Sequence, residues 1–224
     1  MDALIFDFDG VVVDSEPIHL AGFREVLKDI GLALSNEDYY AKYLGYDDRD
    51  GFGTMARDNG VELSPSQLAQ MIQRKTMLVQ RAFVETIQPL PGAVPLIESV
   101  ARAGVPVAVC SGALRTEIEL ASRTIGAWPH FSLIVSAEDV TAGKPDPQGY
   151  LLTVERLRQK LGKPLSSERC VVIEDSPAGI SAARAAGMKV LAVANSYHRS
   201  HLGQADAIVE NLTQVTLDTL RQLA

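Results

Sequence analysis

Short, unbroken apolar runs recur along the chain, and several end in polar residues: Ala3 to Phe6, Val105 to Val109, Leu133 to Val135, Val171 to Ile173 and Val190 to Val193. None alternates apolar with polar, which is how strands covered on both faces of a parallel sheet read. Helical spacing separates them. Pro91-Gly92 opens a segment with Val94, Ile97, Val100 and Ala101 on one face, and Gly104 stands where a helix end takes glycine. Ser176-Pro177 opens another, through Ile180, Ala183 and Ala186 to Gly187, with proline in the first turn and glycine past the last. Strand and helix in alternation predict an α/β fold, a doubly wound, Rossmann-like parallel-sheet core.

Residues 15–86 break this rhythm. Pro17 to Ile30 carries Ile18, Gly22, Val26, Leu27 and Ile30 on one face, with Gly31 following. Ser35 with Asp38, and Ser64-Pro65 with Gln67, have the spacing of capping boxes. A crossover of this length exceeds what an α/β unit needs. The pattern predicts an all-helical cap domain inserted over 15–86, with the α/β core formed by 1–14 and 87–224.

Composition narrows the function without choosing it. The 224 residues are 46% hydrophobic and 22% charged, and the formal net charge is -7. An acidic chain of this kind argues against nucleic acid or an anionic membrane as partner. No basic, apolar leader precedes Leu4-Ile5-Phe6, and no apolar stretch reaches the roughly 20 residues of a membrane span. Cys110 and Cys170 each sit inside an apolar run and read as buried free thiols in a reducing, cytoplasmic setting.

Ligands of an open α/β sheet bind beyond the carboxyl ends of its strands. Those ends here are Asp7-Phe8-Asp9-Gly10, Cys110-Ser111-Gly112 and Glu174-Asp175-Ser176, with Lys144 in a loop after the third run. Asp7 and Asp9 are two apart, the period of a strand, so their carboxylates are expected to face one space. Turn-forming Asp-Gly and a helix-start acidic pair have ordinary explanations when taken singly. Together, four carboxylates around one crevice repel by about 4 kcal/mol for each pair near 4 Å at an effective dielectric of 20. A hard divalent cation such as Mg2+ relieves this, and a phosphate beside it wants the Ser111 hydroxyl, nearby backbone N–H groups and Lys144.

The set Asp7-Phe8-Asp9-Gly10-Val11 through Asp14-Ser15, Cys110-Ser111-Gly112, Gly143-Lys144-Pro145 and Ile173-Glu174-Asp175-Ser176 with Gly179 resembles the haloacid dehalogenase superfamily, in its branch with a helical cap after the first strand. The resemblance implies that Asp7 attacks phosphorus and Asp9 acts as acid, then base. It implies that Ser111, Gly112 and Lys144 grip phosphoryl oxygens. It gives metal binding to Asp7, the Asp9 main-chain carbonyl and Asp175, with Glu174 direct or through water. True haloacid dehalogenases of the superfamily lack the second aspartate, so Asp9 favours phosphoryl transfer. The expected activity is Mg2+-dependent hydrolysis of a small phosphorylated metabolite, with a phosphosugar mutase as the alternative.

Other residues carry weaker signals. His19 matches a histidine that some relatives carry between core and cap, and Arg49 and Arg115 are further candidates for substrate binding. Tyr39, Tyr40, Tyr43, Tyr46 and Phe52 are expected to pack the cap, while His198 and His201 read as surface residues. The segment Gly45-Tyr46-Asp47-Asp48-Arg49-Asp50 disfavours a mutase, because its aspartates oppose a second phosphate dianion. A non-catalytic phosphoacceptor of the receiver-domain kind would place its acidic pair on the first strand and would lack the insertion.

Overall fold

The computed structural model describes residues 1–44 and 46–224, so Gly45, the first residue of the segment just named, lies outside the described residues. The chain divides into two compact units, one of Met1–Asp14 with Ile87–Ala224 and one of Ser15–Thr86.

The larger unit is built on a six-stranded parallel sheet. Its strands are β1 (Ala3–Phe6), β2 (Val107–Cys110), β3 (Leu133–Val135), β4 (Cys170–Glu174), β5 (Lys189–Val193) and β6 (Ala207–Val209), in the order β3-β2-β1-β4-β5-β6. The chain runs outward from β1 to β3, then returns to the other side of β1 for β4, so the strand order reverses between β1 and β4. Leu4 pairs with Val107 on one side and Val171 on the other, and the register runs to Phe6 opposite Val109 and Ile173. Asp7 is the next residue, and its N–H still donates to the Ile173 carbonyl. The strand therefore delivers Asp7 to the carboxyl edge beside the ends of β2 and β4.

Apolar residues cover the sheet, including Ile5, Ala108, Val172 and Val190 beside Tyr150, Val154, Leu157 and Ile180. Each fully buried Val, Leu or Ile contributes about 1.5–3 kcal/mol relative to an exposed one. The edge strand β6 escapes the apolar pattern, because its three residues are only half-buried.

The smaller unit is helical: α1 (Glu16–Leu27), α2 (Asn36–Asp38) running into a π-turn at Tyr39–Tyr43, α3 (Asp48–Asp58) and α4 (Pro65–Glu85). Ser64 and Gln67 form the capping box their spacing predicts. Ser35 also caps, accepting the Asp38 N–H, but the helix it opens is three residues long. The core of this unit joins Leu20, Phe23, Leu27, Tyr39, Tyr43, Phe52 and Met55, whereas Tyr40 and Tyr46 are exposed. Gly22 lets α4 close on α1, since a Cβ there would lie 3.1 Å from the Lys75 side chain.

The larger unit is completed by α5 (Ala93–Arg102), α6 (Arg115–Thr124), α7 (Gln148–Leu161), α8 (Pro177–Ala185) and α9 (Leu217–Leu223). No helix among the described residues is long and apolar enough to cross a membrane.

Candidate active site

The turn after β1 is set by Phe8, whose carbonyl accepts N–H groups from Val11, Val12 and Val13. Gly10 sits at φ 76°, and a Cβ there would stand 1.9 Å from Asp175 Oδ2. Only glycine permits both that conformation and the close approach of this turn to the end of β4.

Lys144 reaches in from the loop before α7. Its ammonium lies 2.8 Å from Asp7 Oδ1 and 2.6 Å from Glu174 Oε1. The loop that carries it is tied to the helix by Gln148, whose Oε1 accepts from Thr141 N at 3.0 Å and Ala142 N at 2.9 Å. Glu174 is fully buried. Its Oε1 also accepts from the Tyr150 hydroxyl at 3.0 Å, while Oε2 accepts from Asp175 N at 2.9 Å and from both Ser176 N and Ser176 Oγ at 3.0 Å. Gly179 in α8 makes room for this carboxylate, since a Cβ there would be 1.6 Å from Glu174 Oε1.

The electrostatics follow from burial. Desolvation lifts the Asp7 carboxyl to a pKa of about 7; Lys144 opposes the shift and the Glu174 charge adds to it. Asp175 is pushed up to about 8, again by burial first, then by the charges of Asp7 and Glu174. Burial works against the charge of Glu174 too, but Lys144 and the Ser176 donors outweigh it and hold that carboxyl below its ordinary value. Lys144 is held well above the usual lysine range, its own desolvation outweighed by Asp7 and Glu174. One cation thus serves three acidic groups, and the cluster remains short of positive charge.

Asp7, Glu174 and Asp175 each offer a carboxylate oxygen, and these atoms lie within 4.8 Å of one another. An all-oxygen donor set with surplus negative charge fits a hard divalent cation. Asp9 follows two residues after Asp7 and is half-buried. Ser111 is buried in the turn after β2, and its Oγ accepts the Ala113 N–H at 3.0 Å, leaving the hydroxyl proton to donate. Helix α6 begins only at Arg115, so Ser111 is not its N-cap residue.

Arg115 is the first residue of α6. Its Nη2 is 2.6 Å from Asp139 Oδ2 and 3.1 Å from the Ile134 carbonyl, and Arg156 holds the other Asp139 oxygen at 2.7 Å. The two guanidiniums brace the turn after β3 on α6 and α7. In the helical unit, His19 Nδ1 lies 3.1 Å from Lys75 Nζ, and burial followed by the Lys75 charge lowers its pKa to about 3. The ring is neutral at physiological pH. Lys75 is itself buried, ion-paired with Asp48 and 3.9 Å from the Phe23 ring centre. Arg49 is exposed. Cys110 and Cys170 are buried free thiols, each raised to about 11 by desolvation.

Several participants escaped the sequence reading. Ser196, beyond β5, hydrogen-bonds Asp175, and Asn195 Nδ2 donates to the Gly10 carbonyl at 3.3 Å. Lys75 interrupts the apolar stripe of α4, and that interruption is the signal that could have found it; Tyr150 sits among the buried residues of α7 and carries no such signal.

A parallel sheet that gathers buried carboxylates and one lysine at its strand-order reversal defines an α/β enzyme site for a charged small ligand. The chain belongs to the haloacid dehalogenase-like hydrolases, whose family model matches residues 4–193. It is 32% identical over 214 residues to hexitol phosphatase A of Escherichia coli, covering 95% of this chain and 92% of that one. It is 29% identical over 189 residues to a phosphorylated carbohydrates phosphatase of Thermotoga maritima, covering 84% and 83%. Among solved structures, a putative beta-phosphoglucomutase from Thermotoga maritima superposes with a TM-score of 0.80 at 28% identity, over 100% of both chains.

Proposed function

We propose that this protein hydrolyses a small phosphomonoester, a sugar phosphate or similar metabolite, through a phosphorylated Asp7. The observation that carries the reading is the buried Asp7–Lys144–Glu174 contact beside Asp175 at the carboxyl edge of β1 and β4. The Asp7 oxygen not bonded to Lys144 attacks phosphorus, the ester P–O bond breaks, and Asp9 gives a proton to the departing oxygen. Water then attacks the phosphoaspartate, Asp9 takes its proton, and phosphate leaves with Asp7 restored. Lys144 and the Ser111 hydroxyl hold charge on the phosphoryl oxygens. A bound Mg2+ supplies further charge neutralisation there; the residues that would hold it are Asp7, the Asp9 main-chain carbonyl and Asp175, with Glu174 beside them.

A phosphosugar mutase is the second reading, favoured by the superposition on a putative beta-phosphoglucomutase. A mutase that handles a bisphosphate needs uncompensated cations for a second dianion. In the helical unit the buried cation Lys75 is already neutralised by Asp48, and Asp47 and Asp50 flank the pair in sequence. The test is a Mg2+-supported panel of sugar phosphates, hexitol phosphates and phosphoglycolate, read as released phosphate. In a parallel arm, β-glucose 1-phosphate is given with a trace of the 1,6-bisphosphate. Glucose 6-phosphate appearing much faster than free phosphate would overturn hydrolysis in favour of the mutase.

Metal binding should show a marked pH dependence. Asp7 and Asp175 hold protons in the folded state up to about 7 and about 8, far above their unfolded values. Their contribution to stability therefore declines as pH rises through that window, and a divalent cation replaces the protons they lose. Millimolar Mg2+ is expected to raise Tm by several degrees near pH 8.5, on the order of 1–2 kcal/mol, and by almost nothing near pH 5. A Mg2+-induced shift that is as large at the lower pH, measured by circular dichroism, would remove the cluster as its origin.

A further inference from the structure

We infer that Tyr150 is a positioning residue for Lys144, acting through Glu174, and that Glu174 is the seat of the lysine ammonium rather than a direct ligand of the divalent cation. The inference rests on the phosphatase reading for the identity of the anion that Lys144 grips.

A carboxylate has about four lone-pair sites. Glu174 already receives donors from Lys144 and Tyr150 on Oε1 and from Asp175 N, Ser176 N and Ser176 Oγ on Oε2. Five donors leave it no free site to offer a cation. Its carboxyl also lies close against Gly179, where even one added methyl group would collide. Ser176 Oγ also accepts the Gly179 N–H at 3.0 Å, so the same hydroxyl ties the carboxylate to the start of α8.

Tyr150 meets this arrangement from the α7 side. It is completely buried, and its hydroxyl is 3.0 Å from Glu174 Oε1, with the Lys144 ammonium 5.2 Å from its ring centre. It stands on α7, the helix that also fixes the Lys144 loop through Gln148. An ammonium has three N–H donors. One goes to Glu174 and one to Asp7, which leaves the third for a phosphoryl oxygen. The tyrosine hydroxyl occupies the second lone pair of Oε1. Without it, that oxygen accepts more strongly from Lys144 and draws the ammonium out of line with the phosphate.

The experiment uses Tyr150→Phe, which removes the hydroxyl and keeps the ring. Calorimetry on the full chain measures binding of Mg2+ alone, then of inorganic phosphate in saturating Mg2+; kcat and Tm are recorded beside them. Phosphate affinity and kcat are each expected to fall about tenfold, with Mg2+ affinity within twofold of the parent, as for loss of one charge-directing hydrogen bond. A lowered Tm with unchanged phosphate affinity would make Tyr150 merely structural and overturn the inference, as would a parallel loss of Mg2+ affinity or a parent protein that binds no phosphate. If Tyr150→Phe does not fold, Glu174→Gln decides: Mg2+ affinity within about fivefold supports the seat, and a hundredfold loss restores Glu174 as a ligand. Failure of the parent to turn over any phosphomonoester sinks the phosphatase reading, but the binding comparison needs no turnover.

Discussion

Replacing Asp7 by asparagine is expected to lower turnover by about four orders of magnitude or more while the protein stays folded. An amide oxygen is a poor nucleophile, and no neighbouring carboxylate can take its place: Glu174 is saturated with donors, and Asp175 belongs to another strand end. The stability outcome is equally diagnostic. Asp7 is a buried carboxyl whose charge is disfavoured by desolvation and by Glu174. Its neutral replacement retains the shape, and Lys144 keeps its contact with Glu174. In the absence of metal the variant should therefore melt at the same temperature as the parent or a few degrees higher, the usual relation between a strained catalytic group and stability. Initial rates with Mg2+, beside thermal melts in chelator, check both. Retention of even a tenth of the activity would require a different nucleophile.

Lys144→Met should give the largest combined loss, with kcat reduced about a thousandfold and the fold weakened by about 3–5 kcal/mol. Removing the ammonium leaves Asp7 and Glu174 facing each other in a buried space with no cation between them. For a chain of this size that cost corresponds to a fall in Tm of about 10 °C. The loss should shrink as pH falls toward the ordinary carboxylate range, where the orphaned acids take up protons instead of repelling. Melts from about pH 5 to about pH 8 decide the matter, and a constant deficit across that range would mean that lost packing, not charge, is responsible.

Much of this site could be read from the sequence because the core strands are continuous apolar runs, so their polar ends stand out. Asp7, Ser111, Glu174 and Asp175 were visible for that reason, and Lys144 through its fixed company of Gly143 and Pro145. What stayed hidden depends on contacts between distant segments. On α4 the buried face reads Met71, Lys75, Val79 and Phe83, each four residues apart. A lysine in that stripe looks like a break in the pattern until Asp48 and His19 are seen around it. Tyr150 shares a buried face with Val154 and Leu157 and reads as packing, because nothing local says that its hydroxyl meets Glu174. The pairing of the Arg115 guanidinium with Asp139 is hidden for the same reason, since it joins segments far apart in sequence. The short helix after Ser35 shows the limit of local signals, since a sound N-cap starts a helix without sustaining it.

The central place of β1 has a consequence for how the protein comes into being. Of the six strands, β1, which ends just before Asp7, is made before the others, yet its two neighbours in the sheet arrive only with Val107 and then Val171. The apolar contacts of the helical unit, by contrast, join residues from Leu20 to Met71 and are complete in the chain while β1 still lacks both partners. During synthesis, therefore, β1 spends a long interval as an unpaired apolar strand with two open edges, the kind of segment that aggregates unless it is shielded. Loop closure over so long a stretch adds little to the equilibrium cost but delays the non-local pairing. The acidic pair of the site comes late in synthesis: a nascent chain halted before β4 would contain the whole helical unit and Asp7, and have no Glu174 or Asp175 to place beside it.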